Sequence, residues 1–115
     1  MPQKQLGQTE TAANTDTLLY TLPDNTEASN LTLTVANTGA AANFFKVYQD
    51  NDGAVHTTAT ALYFGSSGNG NDLAANTTVI LRIGSMSNFS GTMYVAGETA
   101  NEVTFTLHGI ERLIA

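Results

Sequence analysis

The feature that most constrains the fold is a strict alternation of apolar and polar residues over positions 30–37. The two faces of this extended run are Leu31, Leu33 and Val35 on one side, and Thr32, Thr34 and Ala36 on the other. A period of two with β-branched residues indicates a strand that buries one face. A short loop of Gly, Ala and Asn leads into a second run, residues 44–49, and the two runs predict a β-hairpin at the centre of an all-β domain.

Further strand patterns lie on both sides of this predicted hairpin. They cover residues 17–22, 59–64, 76–83, 92–96 and 102–107, with a continuation over 110–114 after a predicted bulge at His108 and Gly109. Turn residues separate the runs, and no long window has a helical stripe. The run 76–83 has a continuous apolar middle, which predicts a central strand covered on both faces. We therefore expect a single-domain antiparallel β-sandwich or jelly roll of seven or eight strands.

Composition excludes several classes of function. The chain has 115 residues, enough for one core, and no cysteine, which excludes disulfides and thiolate sites. Only 12 % of the residues are charged, the net charge is −6, and four residues are basic, so a phosphate-binding patch and a nucleic-acid partner are not expected. No apolar run approaches the roughly 20 residues of a membrane span. The first residues lack the apolar segment of a signal peptide, so we expect synthesis in a cytoplasm.

The first 16 residues are polar, and Leu6 is their sole sizeable apolar anchor. This pattern predicts an N-terminal arm, residues 1–16, ahead of a β-sandwich domain over residues 17–115. Two interpretations stay open for the arm. It is a frayed terminus, or it adds to a sheet edge of a neighbouring subunit with Leu6 as its anchor.

Two motifs carry potential chemistry. The run Asp50-Asn51-Asp52-Gly53 resembles the start of a calcium loop, but Ala61 stands where such a loop needs a glutamate. A plain turn is favoured, with calcium as the alternative. His56 and His108 are the only histidines, neither has a carboxylate at a diagnostic spacing, and no G-x-S-x-G motif is present. We therefore expect no catalytic residues, no metal site and no cofactor.

Apolar residues at two places predict contacts with a partner. Phe44 and Phe45 are adjacent, so their side chains point to opposite faces and one of them is expected to leave the core. The C-terminal end is apolar and needs a cover. The predicted interface residues are Leu6, Phe44, Phe45, Ile110, Leu113 and Ile114. Outward aromatic residues, Tyr63 and Phe64 among them, also suit a carbohydrate-stacking platform beside the Gly-rich loop 65–72, although core packing explains most aromatic positions.

The pattern Leu19-Tyr20-Thr21-Leu22-Pro23, followed by the alternating run that ends at Asn37-Thr38-Gly39 and by Phe44-Phe45-Lys46-Val47-Tyr48, resembles small β-sandwich virion proteins of tailed bacteriophages. The resemblance spans about residues 17–109 and lies in strand rhythm more than in identities. It implies a virion protein without catalytic residues, either a capsid decoration (cement) protein or a tail or fibre accessory protein. The implied partners are the phage major capsid protein or other virion proteins, and copies of the chain itself in a trimer or dimer. The alternative function is a tail or fibre adhesin module that binds a host-surface glycan.

Overall fold

The structure is a computed structural model that describes residues 3–66, 72–87 and 91–114. Its strands are β1 (Lys4–Glu10), β2 (Thr17–Thr21), β3 (Thr26–Asn37), β4 (Asn43–Asp50), β5 (Ala61–Phe64), β6 (Asp72–Leu73), β7 (Thr77–Met86), β8 (Thr92–Gly97) and β9 (Val103–Leu113). In these ranges the sole helical element is a 3₁₀ turn, Thr58–Thr60. No described helix is long and apolar enough to cross a membrane.

The strands form two antiparallel sheets that pack face to face. Sheet A has the order β1-β9-β3-β7, and sheet B has the order β2-β8-β4-β5, with the short β6 also paired to β4. With β6 left aside, the eight remaining strands run 1-8-3-6 in one sheet and 2-7-4-5 in the other, which is the wrapped order of a jelly roll. The prediction of an all-β sandwich is confirmed.

The inward side chains of both sheets form one core. Its fully buried members include Leu33, Val35, Val47, Val95, Phe105 and Leu107. The alternation in β3 and β9 follows directly from this core, because every second residue of each strand is buried over most of its length. The periodic pattern thus correctly located the two central strands of sheet A.

The predicted central hairpin is wrong. β3 belongs to sheet A and β4 to sheet B, so the loop between them crosses from one sheet to the other. The buried Asn37 side chain holds this crossing, because its amide donates to the carbonyls of Ala41 (2.9 Å) and Leu73 (3.0 Å). Its own oxygen accepts from the Gly39 N–H and from the Asn43 amide, both at 2.9 Å. The polar groups of the turn therefore bond to a side chain and not to a facing strand.

The predicted N-terminal arm is wrong for most of its length. β1 pairs with β9 from Lys4↔Gly109 to Glu10↔Thr104 and so forms an edge of sheet A in its own chain. Leu6 is half-buried and packs against the core. The segment after β1 is tied to β8, since the Asn14 N–H donates to the Gly97 carbonyl at 2.7 Å. Backbone pairing incorporates this polar segment, so the boundary placed at residue 16 does not separate two units.

The interpretation of β7 as a central strand is also wrong. β7 lies at an edge of sheet A and pairs with β3 alone among the described strands. Leu81 faces the core and is 7 % exposed, whereas the preceding residue, Ile80, points outward and is 66 % exposed. A continuous apolar run here reflects one exposed isoleucine, not burial on both faces.

Gly109 does not form a bulge in β9, which runs without a break to Leu113. The irregularities lie in the two neighbouring strands, between Gln5 and Gly7 in β1 and between Ser29 and Thr32 in β3. A Cβ atom on Gly109 would lie 2.7 Å from Cδ2 of Leu31 and 3.0 Å from Cδ1 of Leu6. The glycine is needed because these two side chains close over it.

Candidate functional site

The outer face of sheet B carries a cluster of rings that we call the aromatic face, defined by Tyr48, His56, Phe64, Tyr94 and Lys46. Strand register creates it. Tyr94 of β8 pairs with Tyr48 of β4, and Lys46 of β4 pairs with Phe64 of β5. Directly paired residues of antiparallel strands share a face of the sheet, so these side chains lie together on the side away from the core.

His56 lies on the loop over residues 51–60 and packs on this face. Its ring stacks on Tyr94, with centroids 4.2 Å apart and an interplanar angle of 26°, and it meets Tyr48 edge-on at 6.2 Å. Nδ1 of His56 is 2.8 Å from Oδ2 of Asp16, which precedes β2. Burial and then the charge of Asp16 raise the pKa of Tyr48 above its ordinary value. The contacts of His56 thus fix a long loop and the start of β2 against the same rings.

Lys46 continues the cluster toward β5. Its Nζ lies 4.7 Å from the centroid of Phe64 and 5.7 Å from that of Phe44. An ammonium over a ring face at such distances makes a favourable cation–π contact. The lysine therefore covers two aromatic rings with its stem and its charge.

One of the two adjacent phenylalanines, Phe44, leaves the core face as predicted, but neither side chain is exposed, since the exposures of Phe44 and Phe45 are 7 % and 8 %. Phe45 faces the core and meets Phe105 edge-on at 6.3 Å. Phe44 faces the other side, where Gly65 lies so close that a Cβ on that glycine would be 2.9 Å from Cβ of Phe44. Opposite faces of β4 are both covered within the chain, so the pair has no exposed ring for a partner.

Other apolar side chains of sheet B and of its 51–60 loop are exposed. Tyr63 is 41 % exposed and Phe64 is 38 % exposed, on the edge strand β5. The remaining members are Leu18 on β2, Val55 on the 51–60 loop and Leu62 on β5. Tyr63 pairs with Val47 and lies beside Phe45, so it points to the opposite face of β5 from Phe64, and Leu18 lies on the other edge strand of the sheet. We call these five exposed residues of sheet B and its loop the apolar patch. Reasoning from the sequence missed Leu18, although the adjacent Leu18 and Leu19 give the same signal as two successive phenylalanines.

The remaining predicted interface residues lie elsewhere and do not come together with Phe44 and Phe45. Leu113 is 75 % exposed and Ile114 is 48 % exposed at the end of β9, while Ile110 is half-buried on the outer face of sheet A. Leu6 packs under its own sheet. The exposed apolar C-terminal end agrees with the sequence, and a subunit contact there stays a prediction.

The Asp50–Gly53 segment forms a loop that the carboxylate of Asp50 closes by accepting from backbone N–H groups. Oδ2 of Asp50 accepts from the Val55 N–H at 2.9 Å and Oδ1 accepts from the Asp52 N–H at 3.2 Å. These two bonds, the one from Val55 first, hold the pKa of Asp50 below its usual range. Among residues 3–66, 72–87 and 91–114, no three His, Asp or Glu side chains come together in a group that could hold a metal ion.

The two histidines lie on opposite sides of the sandwich. His56 packs on the outer face of sheet B, whereas His108 pairs with Gln5 and Thr32 on the outer face of sheet A. They therefore do not form a common site. Residues 67–71 of the predicted Gly-rich loop, and the aromatic Phe89, lie outside the described residues.

No protein-family model matches the chain, and no curated protein matches it. Exposed rings lie on the edge strand β5, which follows a loop that the Asp50 carboxylate closes by two hydrogen bonds.

Proposed function

We propose that the chain is a non-enzymatic structural protein of a phage virion, a decoration (cement) protein that binds the capsid and stabilises the head. The observation that carries the proposal is the distribution of exposed apolar side chains. Of the eight large ones that are exposed among the described residues, five belong to sheet B or to its 51–60 loop, and three of these lie on the edge strand β5. Soluble monomers rarely expose such a group unless it contacts a partner.

The architecture supports the proposal at a coarser level. Jelly rolls occur in viral capsid proteins and in lectins, and a fold of this kind carries many unrelated functions. The resemblance of strands β2, β3 and β4 to small phage virion proteins favours the first of these classes. The choice between a capsid protein and a lectin must therefore be made from the site and not from the fold.

Stabilisation of the head follows from binding alone. A subunit that binds the assembled capsid lattice and not its dissociated components favours the assembled state by mass action, by about 2.7 kcal/mol per site at a hundredfold excess over Kd. The partner is the phage major capsid protein or another virion protein, and the edge strands β2 and β5 offer backbone groups for a dimer or trimer of this chain. The location is the virion, after synthesis in the host cytoplasm.

Co-sedimentation with capsids of the phage that carries the gene tests the proposal. We expect the purified chain to bind and to raise the melting temperature of the capsids. The double variant Tyr63→Ala, Phe64→Ala removes the rings of β5 and should bind at least about tenfold more weakly. Ile80→Ala removes an apolar side chain of sheet A that is more exposed (66 %) than either ring, and serves as the control.

Two results would contradict the proposal. One is a wild-type chain that neither binds the capsids nor changes their melting temperature. The other is equal weakening by Ile80→Ala and by the double variant, because the apolar patch would then have no special part in docking. Circular dichroism of each variant verifies that it is folded.

A second candidate is a tail or fibre adhesin module that binds a host-surface glycan. The observation that favours it is the exposed ring of Phe64 beside the cationic Lys46, with the ring of Tyr63 also exposed on the opposite face of the same edge strand. A glycan array probed with the wild type and with Phe64→Ala tests this candidate. Glycan binding that the variant loses supports it, and an array without signal counts against it.

A further inference from the structure

A groove lies on the other side of the molecule, on the outer face of sheet A beside the edge strand β7. Its volume is ≈ 700 Å³, within the range of about 300–1,000 Å³ found for small-molecule sites. The residues that matter for recognition are Gln3, Asn30, Thr32, Ile80, Arg82 and Ser85. None of them belongs to the aromatic face or to the apolar patch.

Backbone irregularity creates this groove. The register between β3 and β7 shifts between Ala28 and Leu31 and again between Leu31 and Thr32. Asn30 has a φ of 52° and Gly84 a φ of 109°. A Cβ on Gly84 would have nothing within 4 Å, so the space above the bulge is open. Bulges of this kind redirect side chains and are frequent beside functional sites.

Among the four basic side chains that the structure describes, that of Arg82 is without a partner. Lys4 bonds to Glu111 at 3.0 Å, Arg112 pairs with Glu27, and Lys46 lies over two rings. The guanidinium of Arg82 makes no ion pair or hydrogen bond with any residue that the structure describes. In a chain of net charge −6, an unpaired guanidinium at a groove provides a specific place for a carboxylate, which it can bind through two parallel hydrogen bonds.

The other groups of the groove suit hydroxyls and one apolar ring face. The Asn30 carbonyl accepts from Nε2 of Gln3 (3.2 Å) and from Oγ1 of Thr32 (3.3 Å), which fixes one side of the groove. The side chains of Asn30 and Ser85 have no hydrogen-bond partner in the described ranges and can bind a ligand. Ile80, 66 % exposed, adds one apolar contact.

We propose that this groove binds a saccharide that carries a carboxylate, a uronic or sialic acid residue. Arg82 binds the carboxylate, Asn30 and Ser85 bind ring hydroxyls, and Ile80 packs against the C–H face of the sugar. An acidic peptide is the rival ligand. It would need backbone pairing along β7 and several apolar pockets for its side chains, and the groove offers one exposed apolar residue. The proposal does not rest on capsid decoration, since it concerns the opposite face.

NMR titration of the ¹⁵N-labelled chain tests the proposal. The probes are 3′-sialyllactose and digalacturonate, with lactose as the neutral control. We expect one or both acidic saccharides to shift the resonances of Arg82 and its neighbours, with an affinity at least about tenfold above that of lactose. Arg82→Gln should lower this affinity at least about tenfold, and Arg82→Lys should restore part of it. Arg112→Gln, with the same loss of charge at the ion pair with Glu27 outside the groove, should leave it unchanged.

Several outcomes would overturn the proposal. They are the absence of shifts at the groove with both acidic saccharides, equal binding of lactose, and unchanged binding by Arg82→Gln. Equal shifts with sodium sulfate would show a general anion site, and tighter binding of a glutamate-rich peptide would show a peptide groove. Amide spectra of the variants report folding directly, and capsid binding of Arg82→Gln separates this site from the decoration function.

Discussion

The two outer faces of the sandwich differ although the two inner faces are alike. On sheet A, one row across all four strands reads Gln8, Thr106, Thr34 and Ile80, and its first two members are joined by a 2.9 Å hydrogen bond. On sheet B, the corresponding surface consists of stacked rings under the loop 51–60. The inward residues of both sheets form the same core, so the fold does not require the two outer faces to differ. The difference between the outer faces therefore reflects a different use of each face.

The comparison also separates two kinds of binding surface. Sheet B offers exposed apolar side chains on both faces of the edge strand β5, which suit another protein surface. Sheet A offers hydroxyls, amides and one unpaired guanidinium in a groove, which suits a small polar ligand. Substitutions on the two faces should therefore have unequal effects on stability and on binding.

The largest effect is expected where the chain crosses between the sheets, because the comparison requires two separate sheets. Asn37→Ala removes a buried side chain that makes several hydrogen bonds to the crossing and to Leu73. Each buried group left without a partner costs about 1–3 kcal/mol. We expect the free energy of unfolding to fall by about 3 kcal/mol in urea denaturation.

Asn51→Ala is the control for this variant, since Asn51 is exposed and bonds only to Gln49 among the described residues. It should change the free energy of unfolding by less than about 0.5 kcal/mol. A similar small change for Asn37→Ala would show that the crossing does not depend on this side chain.

The next largest effect on stability is expected from the hydrogen bond that joins the two sheets at the end opposite the crossing. Tyr20 of β2 donates from its hydroxyl to Oε2 of Glu111 of β9 at 2.5 Å. Burial, and then this bond, raise the pKa of Tyr20. A hydrogen bond to a charged group contributes about 1.5–3 kcal/mol, so Tyr20→Phe should lower the free energy of unfolding by about 1.5 kcal/mol near pH 7.

The same bond predicts a pH dependence. The hydroxyl of Tyr20 first, and then Lys4, lower the pKa of Glu111 from its ordinary value of 4.5, against the opposing effect of burial. Because the folded state binds this proton less readily, the contribution is complete above pH 4.5 and is lost as the pH falls below it. Tyr20→Phe should flatten this part of the acid titration of stability. An identical acid profile for the variant and the wild type would contradict the assignment.

A smaller effect compares the two histidines. His56→Ala removes the stack on Tyr94 and the contact with Asp16, and should lower the free energy of unfolding by about 1 kcal/mol. His108→Ala, on the polar face of sheet A, should change it by less than about 0.5 kcal/mol. Thermal melts of both variants at pH 7 make the comparison, and equal losses would remove the distinction between the faces.

The smallest effect is expected at Ile80. Ile80→Thr places a threonine beside Thr34 at a position that is 66 % exposed, and should change the free energy of unfolding by less than about 0.5 kcal/mol. Leu81→Thr, one residue on and buried, should lower it by at least about 2 kcal/mol. If both variants lost stability equally in urea denaturation, β7 would be covered on both faces, as its sequence first suggests.

Sequence patterns predicted the elements whose position depends on burial and missed those that depend on distant partners. Leu33 and Phe105 lie in alternating runs, so β3 and β9 were predictable. The crossing after Asn37 was not, because a turn in a strand ladder and a turn bonded to a side chain have similar residues. β1 is incorporated through backbone pairing, which leaves little apolar pattern.

The candidate sites show the same division. Adjacent apolar residues correctly indicate that both faces of a strand are in contact with something. The contact of Phe44 is with Gly65, far along the chain, and the sequence around Phe44 does not indicate it. The groove at Arg82 depends on register shifts between β3 and β7. Register is set by the whole sheet, so an isolated arginine in the sequence did not indicate a site.

The most direct test of docking through sheet B is hydroxyl-radical footprinting of the chain, free and bound to capsids. Oxidation of Tyr63 and Phe64 should fall on binding, while oxidation of Ile80, on the opposite face, should stay the same. Protection of Ile80 with unchanged oxidation of both rings would contradict this docking surface and place the contact on sheet A.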